Sequence, residues 1–212
     1  MTLASAKHKN TVRRRNDPEG LRARILDQAA KLFQERGYHS TSMHDLMQAT
    51  KTSAGALHHH FPTKKALALA VLGERVKPAV YKAWIEPIQQ ARTLDKGIAE
   101  VFSGIVLGIK KRGTVLGCPL NNLALELALL DRDLREGIEG VFAEWRKEIA
   151  ERIGLTPGGK RFDEKKRAAA ANFIISVYSG AMNMAKATQN PTPLADAAAI
   201  LKQWLREHHF EA

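Results

Sequence analysis

The chain has 212 residues, of which 33 are Lys or Arg and 22 are Asp or Glu, so its formal net charge is +11. Apolar residues make up 44% of the sequence and only 8 residues are proline, a composition that excludes a disordered or collagen-like polymer. The single cysteine excludes an internal disulfide framework and a zinc site built from several cysteines, and it is typical of a reduced, cytoplasmic protein.

The N-terminal segment is strongly basic. Residues 1–75 contain 13 Lys or Arg and 6 Asp or Glu, so about a third of the chain carries most of the excess charge. Arg13, Arg14 and Arg15 precede the first acidic residue, Asp17, in a segment with few apolar side chains. We therefore expect a flexible basic arm at residues 1–16, and no secretory signal, because no apolar run follows the charges. The alternative is a solvated tail that only keeps the protein in solution.

Three helices are predicted after this arm. Asp17 and Pro18 are typical of a helix start and Gly37 of a helix stop, which predicts a helix over 18–36. Ser42 and Asp45 have the spacing of a capping box for a helix over 43–50. Ser53 can cap a third helix that ends at residue 60. Two short helices joined by a tight turn, packed on a longer one, form a helix-turn-helix unit.

The remaining sequence also has helical periodicity. Thr63 caps a fourth helix, which Pro78 and Pro87 are expected to kink or break before Arg92. Five further stretches with apolar stripes follow, over 94–112, 119–130, 132–153, 163–188 and 194–209. The prediction is an all-α fold of about nine helices without strands. The uncharged stretch 168–185 contains too many Asn, Ser and Gly residues for a lone membrane span, so a buried helix is expected there.

The segment from Arg24 to Leu67 resembles the DNA-binding domain of the tetracycline-repressor (TetR) family of bacterial transcription factors. The resemblance rests on Ile25-Leu26, Ala29, Leu32-Phe33, Gly37-Tyr38, Thr41-Ser42, Asp45-Leu46, Ser53, Gly55, Leu57, His59-His60-Phe61, Lys64 and Leu67. The run Gly117-Cys118-Pro119-Leu120-Asn121-Asn122-Leu123-Ala124, with Glu126, is similar to a subset of the same family. The sequence departs from the family at Lys51, where the turn usually has Gly, and at His58, where Tyr is usual.

The resemblance implies a helix-turn-helix DNA-binding domain over 17–62 and a helical ligand-binding and dimerisation domain over 63–212. It implies a homodimeric regulator, most simply a repressor, which binds a pseudo-palindromic double-stranded DNA operator and is released by an unidentified small-molecule inducer. No catalytic residue, cofactor or membrane contact is expected. The rival interpretation is a helical small-molecule carrier or enzyme whose basic N-terminal domain is incidental.

The third helix is the expected reader of the major groove. Base-facing candidates are Thr52, Ser53, Ala54, Ala56 and His59; phosphate-facing candidates are Thr41, Ser42, Lys51, His58 and Lys64. The helix has no Arg, Asn or Gln for bidentate contacts to bases, so part of the specificity is expected from Arg13, Arg14 and Arg15 in an adjacent minor groove.

Two local features of this unit carry further predictions. A non-glycine residue at position 51 has to accept an unusual backbone conformation, unless the turn is of another type. The run His58-His59-His60 does not predict a metal site, because consecutive helical residues point about 100° apart. His60 is expected to be buried beside Phe61.

Dimerisation and ligand binding are assigned to the last helices and to inward-facing aromatic, apolar and amide residues. The expected dimer interface is Phe173, Ile174, Val177, Tyr178, Ala181, Met182, Leu201 and Leu205, which could alternatively fill a monomer core. The expected ligand pocket is Trp84, Phe102, Val106, Cys118, Asn122, Leu125, Phe142, Trp145 and Tyr178, each of which could instead be a packing residue. A lone cysteine such as Cys118 is usually a small buried apolar residue; the alternative is a reactive thiol, because Cys118 precedes a predicted helix N-terminus.

Overall fold

The computed structural model describes residues 17–210, which form nine helices and no strand. The helices are α1 (Pro18–Arg36), α2 (Met43–Thr50), α3 (Ala54–His60), α4 (residues 64–90), α5 (Leu94–Arg112), α6 (Pro119–Leu127), α7 (Arg132–Gly154), α8 (Glu164–Thr188) and α9 (Thr192–Glu207). A single 3-10 turn, Gly159–Arg161, lies between α7 and α8. The predicted all-α class is confirmed.

Side-chain caps define the helix-turn-helix unit as the sequence predicts. The Asp17 carboxylate accepts a hydrogen bond from the Gly20 amide at 2.9 Å, and Gly37 ends α1 with φ 92°. Ser42 and Asp45 form both hydrogen bonds of the capping box, and the Ser42 hydroxyl and amide together hold the pKa of Asp45 below its ordinary value. The Ser53 hydroxyl caps α3 by accepting from Ala56 at 3.3 Å.

Helix α4 continues through both prolines. Its α-helical stretches are Lys64–Val71, Lys77–Val80 and Glu86–Gln90, joined by the π-helical turns Leu72–Val76 and Tyr81–Ile85. The Lys77 amide bonds to the Leu72 carbonyl and the Glu86 amide to the Tyr81 carbonyl, each five residues earlier. Proline lacks an amide hydrogen and crowds the carbonyl four residues before it, and the wider turns accommodate this. The expected break is therefore absent.

Three helix ends differ from the prediction by two residues or more. Helix α6 ends at Leu127, with a turn at 128–130, and α9 ends at Glu207. Helix α9 begins at Thr192 because the Asn190 carboxamide accepts from the Thr192 amide at 2.9 Å and from its hydroxyl at 2.8 Å. These ends depend on side chains just outside the apolar stripes, and the periodicity of apolar residues does not predict the effect of such side chains.

One hydrophobic cluster extends from Ile25 to Phe210. In the helix-turn-helix unit it contains Leu26 of α1, Leu46 of α2 and Leu57 of α3, and all three are fully buried. In the remainder it contains the edge-to-face rings of Trp84, Trp145, Tyr178 and Phe102. Helix α8 buries one face in this core, and within residues 17–210 no helix is long and apolar enough to cross a bilayer.

Candidate functional site

The turn between α2 and α3 has the backbone conformation expected from its lysine. Lys51 is left-handed, with φ 53° and ψ 42°, and its amide bonds to the carbonyls of Gln48 and Met47. The Thr50 hydroxyl bonds to the Leu46 carbonyl at 2.6 Å and lies 2.7 Å from the Thr52 hydroxyl. The prediction of an unusual conformation at Lys51 is confirmed, and the lysine side chain is exposed on this turn.

Helix α3 presents a small polar surface. Ser53, Ala54 and His59 are exposed, whereas Thr52 and Ala56, which were also expected on the open face, are only half-exposed. Thr52 is turned toward Thr50, and its hydroxyl is already paired. Of the predicted base-facing residues, Ser53, Ala54 and His59 are therefore the ones that the fold leaves open to solvent.

The histidine run is divided between solvent and core. His58 is exposed and its Nδ1 lies 3.3 Å from the Pro62 carbonyl oxygen. His60 is half-buried, not fully buried as expected, and its ring lies 6.4 Å from that of Phe61. Across residues 17–210, no group of three or more His, Cys, Asp or Glu side chains is placed to share a metal ion.

Two of the expected phosphate contacts have other roles. Thr41 is fully buried and its hydroxyl donates to the Gly37 carbonyl at 2.8 Å, so it is not available to DNA and that prediction is corrected. Lys64 Nζ lies 4.1 Å from the Tyr38 ring centroid and donates to the His39 carbonyl at 3.4 Å. Burial lowers the pKa of Lys64. Lys64 thus holds α4 against the loop after α1.

The other predicted phosphate contacts, Ser42, Lys51 and His58, are exposed. Ser42 shares its hydroxyl with the α2 cap, where it bonds to the Asp45 carboxylate. Arg13, Arg14 and Arg15, and with them the whole predicted arm 1–16, lie outside the described residues.

A cleft of about 230 Å³ opens between α4 and α5 and reaches α6, α7 and α8. Trp84, Cys118, Trp145 and Tyr178 form its buried part, so the structure brings four of the nine predicted ligand residues together. Phe102 lies behind them, with its ring centroid 5.8 Å from that of Trp84. The remaining lining residues were not predicted: Ala79, Val80, Ala83, Ile105, Gly108, Ile109, Arg112, Gly117, Pro119 and Met182.

The cleft contains hydrogen-bond donors without partners. The indole N–H groups of Trp84 and Trp145 are buried and, in the part of the chain that the structure describes, no acceptor is within hydrogen-bond geometry. Arg112 lies at the exposed end of the cleft. Unpaired buried donors each cost about 1–3 kcal/mol. The rest of the lining is mostly aromatic and aliphatic, so the cleft is suited to a largely apolar molecule.

Cys118 is buried, not a reactive thiol. Only 4% of its surface is exposed, and burial raises the pKa of its thiol, although the Asn121 and Leu120 amides and the Tyr178 hydroxyl act in the opposite direction. Burial also raises the pKa of Tyr178 well above its ordinary value, and the neighbouring Cys118 adds to this effect. The interpretation of Cys118 as a small buried residue is confirmed, and the alternative of a thiol with a lowered pKa is wrong, because desolvation outweighs the helix N-terminus.

Native protein is expected to resist alkylation at Cys118. At pH 8, we expect iodoacetamide to modify this thiol at least about tenfold more slowly than in the urea-unfolded chain, because the thiolate is the nucleophile and burial disfavours it. Mass spectrometry over time measures the rate without ambiguity, since the chain has one cysteine. Equal rates in native and unfolded protein would contradict this assignment.

Besides Phe102, four predicted ligand residues do not line the cleft. Leu125 is 77% exposed and points out of the fold, which corrects the expectation that it faces inward. Asn122 is structural: its Nδ2 donates to the Leu116 carbonyl at 2.9 Å and its Oδ1 accepts from Lys186 Nζ at 3.0 Å. Val106 is half-buried outside the cleft, and Phe142 stacks on Trp145 from another side.

Most of the predicted dimer residues are already covered by their own chain. Ile174, Tyr178, Ala181, Met182, Leu201 and Leu205 are buried within the protomer, and Met182 lines the cleft. They cannot supply a surface to a second copy, so this part of the prediction is corrected. Phe173, 43% exposed, and the half-exposed Val177 remain, together with Met184 and Ile200, which are 61% and 69% exposed.

Polar contacts connect the helix-turn-helix unit to the helices around the cleft. Arg22 forms a bidentate pair with Glu74, with both distances 2.6 Å, and holds the pKa of that carboxyl below its ordinary value. Gln34 Nε2 donates to the Gly117 carbonyl at 3.1 Å. The His39 amide donates to the Glu126 carboxylate at 3.0 Å. Both ends of α6 therefore contact the region around α1.

A second set of ion pairs lies beside these contacts. Arg75 Nε is 2.6 Å from the Asp27 carboxylate, and Lys65 Nζ is 2.7 Å from the carboxylates of Asp131 and Asp133. The first pair joins α4 to α1 and the second joins α4 to the start of α7. Helix α4 is thus tied to both parts of the molecule.

Comparison with known proteins gives two matching families. Residues 25–71 match the family described as bacterial regulatory proteins, tetR family, and residues 96–200 match the family described as transcriptional regulator LmrA/YxaF-like, C-terminal domain. An uncharacterized HTH-type transcriptional regulator in the lacX 3' region of Lactococcus lactis subsp. lactis is 28% identical, covering 84% of this chain and 90% of the relative. The HTH-type transcriptional repressor DhaR of Mycobacterium sp. (strain GP1) is 25% identical, covering 82% and 86%.

Solved structures share the fold. A TetR transcriptional regulator from Chloroflexus aurantiacus J-10-FL superposes with a TM-score of 0.77 at 26% identity, covering 92% of this chain and 98% of that one. Reduced NemR of E. coli superposes with a TM-score of 0.76 at 21% identity, covering 87% and 96%.

Proposed function

Because the chain belongs to the TetR family of transcriptional regulators, whose members are not enzymes, we propose that it is a ligand-responsive repressor that acts as a homodimer. Its partners are a pseudo-palindromic DNA operator, a second copy of the chain and a small-molecule effector, and its location is the cytoplasm. DNA binding is assigned to residues 17–62, with the arm 1–16, and ligand binding and dimerisation to residues 63–212.

The observation that carries this proposal is the position of α4. Its C-terminal half contributes Ala79, Ala83 and Trp84 to the cleft, while Glu74 and Arg75 bind α1 of the helix-turn-helix unit. A ligand that widens the cleft displaces α4, and the ion pairs transmit the displacement to α1. The spacing of the two recognition helices then no longer matches successive major grooves, roughly 34–36 Å apart.

A second contact supports the same coupling. Gly117 lines the cleft, and its carbonyl accepts from Gln34 on α1. A ligand that displaces the 117–119 segment alters this hydrogen bond directly. The two routes act in the same direction, and an effector that prefers the displaced conformer lowers operator affinity by the same factor by which DNA lowers effector affinity.

DNA binding is tested by fluorescence anisotropy with the DNA upstream of the protein's own gene, across a range of salt concentrations. We expect a specific complex whose affinity falls steeply with salt, because Lys and Arg release counterions from phosphates. Deletion of residues 1–16 is expected to weaken binding on the order of tenfold and to flatten the salt slope. The absence of a specific complex at every salt concentration would refute the proposal that the protein is a DNA-binding regulator. If the deletion left the salt dependence of the affinity unchanged, residues 1–16 would be a solvated tail that does not contact DNA.

Ligand response is tested by blocking the cleft with a matched pair of substitutions. Gly108 and Gly104 lie one turn apart on α5; Gly104 is exposed and Gly108 is half-exposed, and a Cβ added at either meets no atom within 4 Å, but only Gly108 lines the cleft. We expect Gly108→Trp to bind operator normally and to lose at least about tenfold in its release by compounds selected from a library of small aromatic molecules. Gly104→Trp should respond as the unmodified protein does.

The outcome separates the cleft from other sites. Equal loss in both variants would indicate a general effect on α5, and full response in Gly108→Trp would place the effector elsewhere. Thermal denaturation of both variants controls for stability.

A further inference from the structure

Histidines are concentrated in the helix-turn-helix unit. Residues 37–63, which contain α2 and α3, include five of the eight histidines of the chain, but only one lysine, no arginine and one aspartate. Four of these histidines, His39, His44, His58 and His59, are exposed. The charges of the lysine and the aspartate cancel, so the net charge of this stretch is set by the protonation of imidazoles.

His58 and His59 lie on the exposed face of α3, the helix that is expected to read the major groove. Ala54 and Gly55 are exposed on the same helix, whereas Leu57 is fully buried. Because positions four apart share a helix face, each imidazole lies one turn after one of these two small residues. Ala54 and Gly55 carry no polar side-chain atom, so the imidazoles supply the hydrogen-bonding side chains of this face of α3.

Neither imidazole has a charged partner that would fix its protonation state. Nδ1 of His58 lies 3.3 Å from the Pro62 carbonyl oxygen, which leaves Nε2 for an outside acceptor, and the ring of His59 lies 5.3 Å from that of His60. In the part of the chain that the structure describes, neither His58 nor His59 forms an ion pair.

The elements that adjoin α3 are mostly basic. Their titratable residues are Lys51 in the preceding turn, His60 on α3 itself, His44 and Asp45 on α2, Arg22 on α1, and Lys64 and Lys65 on α4. The one carboxylate of this set, Asp45, is engaged in the capping box of α2. The negative charge that would favour protonation of His58 and His59 has to come from outside the chain, and DNA phosphates supply it.

A phosphate beside these imidazoles favours their protonated form, because an opposite charge stabilises the charged state and protonated imidazole has two N–H donors instead of one. The DNA complex then binds more protons than the free protein does, so operator affinity rises as the pH falls. Histidine ordinarily gains its charge between about pH 8 and pH 5. We propose that His58 and His59 make operator binding pH-dependent, with tighter binding in mildly acid than in mildly alkaline solution. This inference depends on the DNA binding proposed above.

The proposal is tested on the full-length protein by fluorescence anisotropy with the DNA upstream of its own gene, at about pH 6 and about pH 8 and at several salt concentrations. We expect binding to be at least about tenfold tighter at the lower pH. The salt slope should be steeper there, by about 0.9 for each imidazole that meets a phosphate.

The double variant His58→Asn and His59→Asn removes both titrating groups. Its affinity ratio between the two pH values should fall to near unity, whatever its affinity at either pH, because an amide does not titrate in this range. Both positions are exposed, and asparagine has a helix propensity close to that of histidine, so α3 is expected to remain folded.

His209→Asn is the matched control. His209 is exposed after the end of α9, with φ 55°, a left-handed conformation that asparagine accepts. This variant should keep the pH dependence of the unmodified protein. Equal affinities of the unmodified protein at both pH values, a pH dependence that persists in the double variant, or one that disappears in His209→Asn would each overturn the proposal. The absence of a specific complex at either pH would refute the DNA binding itself, which is a different result from a complex whose affinity does not change with pH.

Discussion

The double substitution Phe173→Glu and Ile200→Glu is expected to make the protein monomeric and to weaken binding to a two-half-site operator by at least about two orders of magnitude. Phe173 packs on Trp204 with ring centroids 4.7 Å apart, so α8 and α9 present one continuous surface. On α8, Phe173, Val177, Gly180 and Met184 recur at helical spacing along that surface. Two buried carboxylates in the centre of such an interface would remain unpaired and repel their symmetry mates.

The loss of DNA affinity follows from the loss of the second half-site contact. In a dimer, binding of one recognition helix holds the other at a high effective concentration, worth about 10²–10⁴ in affinity. Analytical ultracentrifugation measures the oligomeric state, and anisotropy with full and half operators measures binding. The double variant should bind both DNAs with similar, weak affinity.

Leu107→Glu is the matched control for the dimer prediction. Leu107 is 67% exposed, on α5, and lies outside the α8–α9 surface. The control places the same charge on an exposed leucine, and it should remain dimeric and bind the full operator normally. A dimeric double variant would show that the interface lies on another face of the molecule.

Local signals made the helix-turn-helix unit predictable. Helix ends at Asp17, Ser42 and Ser53 depend on side chains within three residues of the amides that they cap, so the sequence contains the whole interaction. The left-handed Lys51 is predictable for the same reason, because the tight turn determines its backbone conformation. The burial of Thr41 is different: it depends on Gly37 and on how α1 and α2 pack.

The faces of α8 show where sequence periodicity stops being informative. This helix is apolar on two sides, with Ile174 and Tyr178 toward the core and Phe173 and Met184 toward solvent. Apolar residues on two sides of a helix give no single preferred direction, so the stripe chosen from the sequence was mostly the core-facing one. The contacts that decide the matter come from α7 and α9, and the face of α8 that they cover depends on how the three helices pack together.

The cleft was only partly predictable for a related reason. Large aromatic residues such as Trp84 and Trp145 are easily chosen from a sequence as candidate ligand contacts. The cleft is also lined by Ala79, Ala83 and Gly108, which contribute to it because their small side chains leave space. Small residues four apart on α4 are a weak signal for such an opening. Cys118 lines this cleft, and its burial agrees with the interpretation that a lone cysteine is a small apolar residue.

Gly159→Ala is expected to destabilise the protein by about 2–3 kcal/mol, because overpacking next to backbone cannot be relieved by side-chain rotation. A Cβ at position 159 would overlap the carbonyl oxygen of Ile153, in the last turn of α7. The loop cannot easily move away, since the Gly159 amide donates to the Thr156 hydroxyl at 3.1 Å and its carbonyl accepts from Arg167 Nε at 2.9 Å. For a domain of this size, the melting temperature should fall by roughly 4–12 °C.

Gly140→Ala provides the matched control for the stability prediction. Gly140 lies on the exposed face of α7, and an added Cβ there meets no atom within 4 Å. In a helix interior, alanine is favoured over glycine by about 0.5–1 kcal/mol, so this variant should be slightly more stable than the unmodified protein. Urea denaturation of both variants gives the comparison. If Gly159→Ala were as stable as Gly140→Ala, the 156–161 loop would have to rearrange freely, and the Gly158 amide would then lose its 2.9 Å hydrogen bond to His209, which anchors the end of α9.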